Sequence, residues 1–328
     1  MSDWPSQDEA PVDVSIVIAT YDRPDSLRDT LASCFAQTNA LGLRLELVVL
    51  DNHPAQTARP LVESLASAAP WPLRHVTELT RNMSTLRNRG FAEARGRQVA
   101  IIDDDEVAAP DWLDQLVEAL QAGDADIAVG PRLAVFASGA APGYDPQGRQ
   151  FVRDLGLPNG ALLELTTAAG KPRYGLGTGN SLFHLDRCFP DGVAAMRPEF
   201  GDAGGEDAEL FARLHRLGRR IVWAALATVT ETVSPHRTTV AYRLLRTRRE
   251  AQHYVAIYTD ATRRPRLIWA ILTLKGLAQV AAGAALAMAT LEFGSLRRIA
   301  GRMLIAHGLG KLTARRPVGY IVEPGGPG

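Results

Sequence analysis

An alternation of short β-branched runs with helical segments limits this chain more than any other feature. Val14-Ser-Ile-Val-Ile-Ala-Thr20 is continuous in apolar and β-branched residues, as a parallel strand buried on both faces requires. Residues 24–37 then place Leu27, Leu31, Cys34 and Phe35 on one helical face. The pattern repeats, predicting strands over 43–50, 73–76, 99–102 and 126–129 and helices over 56–68, 84–95 and 111–121. This spacing predicts crossover units and an α/β fold, a mostly parallel sheet with helices on both faces. Such sheets bind ligands at the carboxyl ends of their strands, so the polar residues after each strand carry the chemistry. Residues 134–176 are rich in Gly, Pro and Ala and predict a long loop or small subdomain; regular signals resume over 180–184, 206–217 and 220–224.

The strand over 99–102 runs directly into Asp103-Asp104-Asp105-Glu106. Four adjacent carboxylates repel one another unless a cation or a donor-rich ligand neutralises them. Asp103 and Asp105 point to the same side of an extended segment and could share one hard cation, Mg²⁺ or Mn²⁺, with a diphosphate supplying further oxygens. A solvated acidic turn capping the helix after Pro110 is the alternative; the spacing of an EF-hand is not met. The first strand ends in Thr20-Tyr21-Asp22-Arg23-Pro24 and the second in Asp51-Asn52-His53. An Asp at such a place can accept from a nucleobase imino N–H, and Arg23 can face a phosphate. Gly175-Leu-Gly-Thr-Gly179-Asn180 lacks the Lys-Ser/Thr pair and the strand-to-helix setting of a phosphate loop. Glu206-Asp207-Ala-Glu209 reads either as helix-start charge complementing the dipole or as a base beside an acidic neighbour.

Taken in order, VSIVIATYDRP (14–24), LELVVLDN (45–52), LRNRGFAEARG (86–96), VAIIDDDE (99–106) and GGEDAEL (204–210) resemble the motifs of the family 2 glycosyltransferases, which have the GT-A fold. The resemblance covers 14–237. It implies that Thr20, Tyr21 and Arg23 line the nucleotide pocket, that Asp51 meets the base and that Arg87 lies near nucleotide and metal. It implies that Asp103 and Asp105 hold the divalent cation, with Asp104 near the ribose. Asp207 matches the catalytic base and Glu206 an acceptor contact; a Gly-Asn segment beside the acceptor places Gly179 and Asn180 there. Glu231 or His236 is a candidate third metal ligand. The implied reaction is inverting transfer of one sugar from a nucleotide-sugar donor to a saccharide or lipid-linked acceptor. Two rivals are weighed: a sugar-phosphate nucleotidyltransferase, which would need a Gly-rich loop after the first strand, and a catalytically silent nucleotide-sugar-binding or membrane-docking protein.

The 36 basic and 36 acidic residues sum to a formal charge of zero, which argues against a nucleic-acid partner but averages two unlike regions. Residues 237–316 carry 15 basic and three acidic residues, whereas 1–236 carry 21 and 32. A polar segment over 1–13, a catalytic domain over 14–236 (nucleotide-binding half to about residue 132, acceptor half from 133) and a basic helical tail over 237–328 follow as the expected organisation. The tail carries YRLLRTRRE (242–250) where processive synthases of the family carry Gln-x-x-Arg-Trp; the absent Gln and Trp favour single transfer. An apolar helix over 267–291 lies between Arg263, Arg264 and Arg266 and Arg297, Arg298 and Arg302, predicting contact with a membrane surface through 263–302. Its uncharged part, 276–291, is shorter than the roughly 20 residues of a membrane span. Two cysteines and an acidic N-terminus without an apolar core predict a reducing, cytoplasmic setting, at the cytoplasmic face of the inner membrane.

Overall fold

The computed structural model describes residues 11–190, 195–202, 204–289 and 295–315. The expected segment 1–13 and tail 237–328 fall partly outside the described residues, as do the last two positions of 267–291. The chain alternates β1 (Val14–Thr20), α1 (Pro24–Phe35), β2 (Leu45–Asp51), α2 (Arg59–Ala66), β3 (Leu73–Thr77), α3 (Met83–Glu93) and β4 (Gln98–Asp103). Then come β5 (Glu106–Ala108), α4 (Trp112–Ala122), β6 (Ile127–Val129), β7 (Arg132–Phe136), β8 (Ala161–Leu162) and β9 (Ser181–His184). Two one-turn helices, α5 (Leu185–Cys188) and α6 (Pro198–Gly201), precede α7 (Glu206–Arg216), β10 (Ile221–Trp223) and β11 (Val229–Val233). After a 3₁₀ turn at Pro235–Thr238 the chain ends in α8 (Val240–Ala261), α9 (Pro265–Ala289) and α10 (Ser295–Leu312).

The main sheet has the order β3-β2-β1-β4-β9-β6-β10-β8. β1 pairs in parallel with both β2 and β4, and every residue of β1 and β2 is buried, which explains why both read as unbroken apolar runs. Alternate residues divide into two cores. Ile16, Ile18, Leu47 and Val49 pack with α1, α2 and α4 on one face. Val17, Val48, Ile101 and Phe183 pack with α3 and α7 on the other. β9 is antiparallel to β4 and β6, so the sheet is mixed where the two halves meet.

A second sheet, β5-β11-β7, was not among the expectations. Val229-Thr-Glu-Thr-Val233 does alternate with the period of a half-buried strand, buried at 229, 231 and 233. Its register sets Glu231 opposite Glu106, which brings a second acid against the end of the acidic run. Cys34 and Cys188 are both buried free thiols.

The apolar segment forms a 25-residue helix, long and apolar enough by length and composition to cross a membrane. It packs antiparallel on α10 through small residues: a Cβ at Gly283 would come 2.7 Å from the Gly301 carbonyl, and one at Gly276 3.0 Å from that of Gly308. Its other face leaves Leu267, Ile271, Leu274 and Leu277 exposed, with Arg263, Arg264 and Arg266 exposed beside them. The tail is not detached from the body. The His253 ring of α8 lies against Gly205, where an ideal Cβ would meet its Cγ at 2.5 Å.

Candidate active site

Three neighbouring strands deliver the carboxyl-end residues to one edge, with Thr20 level with Asp51 on β2 and Ala19 level with Asp103 on β4. The Thr20 hydroxyl donates to Asp104 at 2.7 Å, and Arg23 donates to Asp104 and to Asp105, each at 3.1 Å. Tyr21 stands between the His53 ring, 5.0 Å away edge-on, and the Arg81 guanidinium, 5.3 Å from its centroid. Arg87, on α3, is buried and donates to Asp103 at 2.5 Å. Burial opposes its charge, and Asp103, Asp207 and Glu206 outweigh that penalty. Its Nε and one terminal nitrogen are buried without a partner.

The Asp51 carboxylate is fully buried and accepts from the backbone N–H groups of His53 and Ala58 at 3.0 and 2.9 Å, with His75 Nε2 at 3.2 Å. Its oxygens organise the loop after β2, which corrects the expected contact of Asp51 with the base: a fully buried carboxylate shapes the loop instead. Burial raises the pKa of Asp105 to about 6, reinforced by Asp103, Glu231 and Asp104. Burial also raises Asp104, against Arg23 and Thr20. Asp103 runs the other way: burial works to raise it, and Arg87 prevails and lowers it. Glu106 is fully buried, accepts from the Asp103 N–H at 3.0 Å and has one oxygen without a partner. Burial and Asp103 push its pKa up to about 8.

Asp207 stands half-buried at the second position of α7 and accepts from the Thr178 hydroxyl at 2.8 Å. Burial raises its pKa, against Arg87 and Thr178. Glu206 is buried beside it with one oxygen unpartnered, and burial plus Asp207 raise its pKa to about 8. Burial thus raises both acids, and each disfavours the charge of the other, so the two titrate as a pair.

The loop 177–180 joins the two groups of acids. Thr178 reaches Asp207, and a Cβ on Gly179 would come 2.4 Å from an Asp103 oxygen and 3.0 Å from the unpartnered Glu106 oxygen. Only glycine allows that approach. Arg153 clamps the loop by donating to the carbonyls of Gly130, Gly177 and Gly179 at 3.1, 2.9 and 2.5 Å. Arg153, Thr178, Arg132 and Arg237 were not predicted. Arg153 comes from the irregular segment, where no periodicity marks it, and Thr178 sits in a run whose glycines drew attention away from it.

Asn180 corrects an expectation. Its side chain is fully buried behind the cleft, accepting from Trp112 Nε1 at 2.7 Å and donating to the Pro131 and Ala227 carbonyls at 2.7 and 2.8 Å. Substrate contact gives way to a framework role, at a left-handed backbone position (φ 56°) that Asn tolerates. Asn180→Ala strands three buried polar groups and is expected to lower stability by roughly 3 kcal/mol or more in urea unfolding; a loss below about 1 kcal/mol would contradict that role. Glu231 is buried and ion-paired with Arg237 and Arg132 at 2.5 and 3.0 Å, while His236 is exposed, edge-on to Tyr242. Among the described residues no three His, Cys, Asp or Glu side chains form a complete metal cage. A cavity of about 480 Å³, lined by Glu164, Thr166, Gly170, His215 and Arg216, opens at the other end of α7 and touches none of these acids.

Residues 15–167 match the model for glycosyl transferase family 2. The succinoglycan biosynthesis protein ExoM of Rhizobium meliloti is 29% identical over 258 residues, covering 79% of this chain and 79% of its own length. ExoO of the same organism is 35% identical over 127 residues, covering 38% and 34%. Among solved structures, a mannosyltransferase from Pyrobaculum calidifontis in complex with GDP-Man and Mn²⁺ superposes with a TM-score of 0.57 at 19% identity, over 94% of this chain and 90% of its own. That likeness is one of fold, and it confirms the expected GT-A architecture. Residues 15–167 thus carry a glycosyl transferase family 2 match, and the chain is similar to exopolysaccharide-biosynthesis proteins over most of its length.

Proposed function

We propose that the chain transfers one sugar, with inversion, from a nucleoside-diphosphate donor to a saccharide or lipid-linked acceptor in exopolysaccharide assembly. One observation carries the reading: the loop 177–180 ties the acids at the end of β4 to those at the start of α7, with Arg87 between them. Thr20, Tyr21 and Arg23 would line the nucleotide pocket, with Asp104 near the ribose and Asp51 shaping the loop beside the base. Carboxylate oxygens alone, without a full cage, suit a hard cation that takes its other ligands from phosphate and water. Asp103 and Asp105 would hold Mn²⁺ or Mg²⁺, which supplies neutralisation of the leaving diphosphate. Asp207 takes the proton of the acceptor hydroxyl, whose oxygen attacks the anomeric carbon opposite the diphosphate. The anomeric carbon–oxygen bond to the diphosphate breaks, and the nucleoside diphosphate leaves with that electron pair. Glu206 contacts the acceptor beside it.

The catalytic unit would span 14–236, with its nucleotide-binding half ending near 132, and the helical tail 237–328 would set it on the cytoplasmic face of the inner membrane. The exposed apolar residues of α9 and its flanking arginines support this placement, each arginine near anionic lipid contributing about 1 kcal/mol. The test is a thermal-shift panel of UDP-, GDP- and dTDP-sugars with Mn²⁺. A donor at about 100 times its Kd stabilises by roughly 2.7 kcal/mol. If no nucleotide-sugar raises the Tm with or without metal, the reading fails.

A further inference from the structure

The carboxylates proposed to hold a cation already have cations. Asp103 pairs with Arg87, Asp104 with Arg23, Asp105 with Arg23 and Arg237, and Glu231 with Arg132 and Arg237. Four carboxylates thus meet four guanidiniums. A bare divalent ion entering between Asp103 and Asp105 would have to compete with these guanidiniums for the same oxygens. A metal–nucleoside diphosphate complex carries a net negative charge instead, and offers its phosphate oxygens to whichever guanidinium leaves Asp105.

Arg237 is placed for that exchange. It sits on the 3₁₀ turn after β11, with one terminal nitrogen 2.5 Å from Glu231 and 3.5 Å from Asp105. Glu231 is only 4% exposed and anchors the guanidinium, whereas Arg23 is 52% exposed and divides itself between two acids. Among the described residues the buried Nε of Arg237 has no acceptor, which leaves a donor for an incoming anion.

We propose that Arg237 is a positioning residue that occupies Asp105 until the donor arrives and then turns to its diphosphate, so that metal enters the site together with the nucleotide. The inference rests on the glycosyltransferase reading above and adds an order of assembly to it. One terminal nitrogen reaches both carboxylates, which leaves the other donors of the planar guanidinium for the diphosphate, an option that a lysine ammonium lacks in that geometry.

The experiment follows free Mn²⁺ by electron paramagnetic resonance in titrations of the full chain, with and without UDP or GDP. The wild-type protein should bind Mn²⁺ alone at least about tenfold more weakly than in the presence of the matching nucleoside diphosphate. Arg237→Gln should bind Mn²⁺ alone about tenfold more tightly and the Mn²⁺–nucleotide complex about tenfold more weakly. Arg237→Lys, which keeps the positive charge, should gain less Mn²⁺ affinity than the Gln variant and lose less nucleotide affinity. It serves as the test if the Gln variant fails to fold, and the thermal unfolding of each variant is recorded alongside. Unchanged affinities for both ligands in either folded variant would overturn the proposal, as would wild-type Mn²⁺ binding indifferent to nucleotide. Failure of every protein to bind any nucleoside diphosphate would instead sink the functional reading on which it rests.

Discussion

Asp207→Asn is expected to lower kcat by roughly 10²–10⁴-fold while leaving donor affinity within about threefold of wild type. The substitution keeps size and the Thr178 hydrogen bond, since the Asn side-chain oxygen can still accept from that hydroxyl, and removes only the capacity to take a proton. Donor affinity should survive because the proposed nucleotide pocket lies at the ends of β1, β2 and β4 rather than on α7. The pH profile gives a second readout. A base whose pKa is raised by burial is protonated as pH falls through that value, so wild-type kcat declines on acidification. The residual activity of Asp207→Asn should lack that limb. Full activity in Asp207→Asn would remove this residue from the mechanism and leave Glu206 to be tested in its place.

The second large effect separates two acids only two positions apart. Asp105→Ala should fold nearly as well as wild type yet weaken Mn²⁺–nucleotide binding by about 10²-fold or more. Its partners are Arg23, which is half exposed, and Arg237, which keeps Glu231. Asp103→Ala should lose binding too, but at a cost of about 3 kcal/mol in stability, because it removes the one hydrogen-bonding partner that the buried Arg87 guanidinium has among the described residues. Asp207 and Glu206 offset part of that loss, which places it at the low end of what breaking a buried pair costs. Calorimetric binding and urea unfolding on the same two variants check both halves. Equal destabilisation of the two would show that the ion pairs around Asp105 are not as replaceable as their exposure indicates.

Much of the sheet was legible because burial on both faces leaves no choice of residue: Val14–Thr20 and Leu45–Asp51 are apolar runs since nothing else can fill those positions. The acidic run after β4 was equally visible, because like charges in sequence are costly without a reason. What periodicity could not convey was which distant segments complete the site. Arg153 reaches the 177–180 loop from a stretch without regular structure, and Arg237 arrives by way of a strand in a sheet that had not been expected. Asn180 shows the opposite error. A polar residue in a glycine-rich run beside the cleft suggests substrate, but its three hydrogen bonds to Trp112, Pro131 and Ala227 spend the amide inside the protein. Placement on an edge is encoded locally; the direction a side chain faces there depends on partners far away in sequence.

The contact of His253 with Gly205 also bears on how the chain can be cut. α7 starts at Glu206, so the imidazole from α8 rests directly on the turn that presents the proposed base. Gly205 itself holds a left-handed conformation (φ 91°) beneath that ring. Trimming the tail to obtain a smaller, more soluble enzyme would uncover this turn and leave the 3₁₀ turn that carries Arg237 without the helix that follows it. A shortened chain ending before α8 should express as a folded sheet with a slack catalytic edge. Solubility is better sought by replacing the exposed Leu267, Ile271, Leu274 and Leu277 with polar residues, which spares the contact of His253 with Gly205.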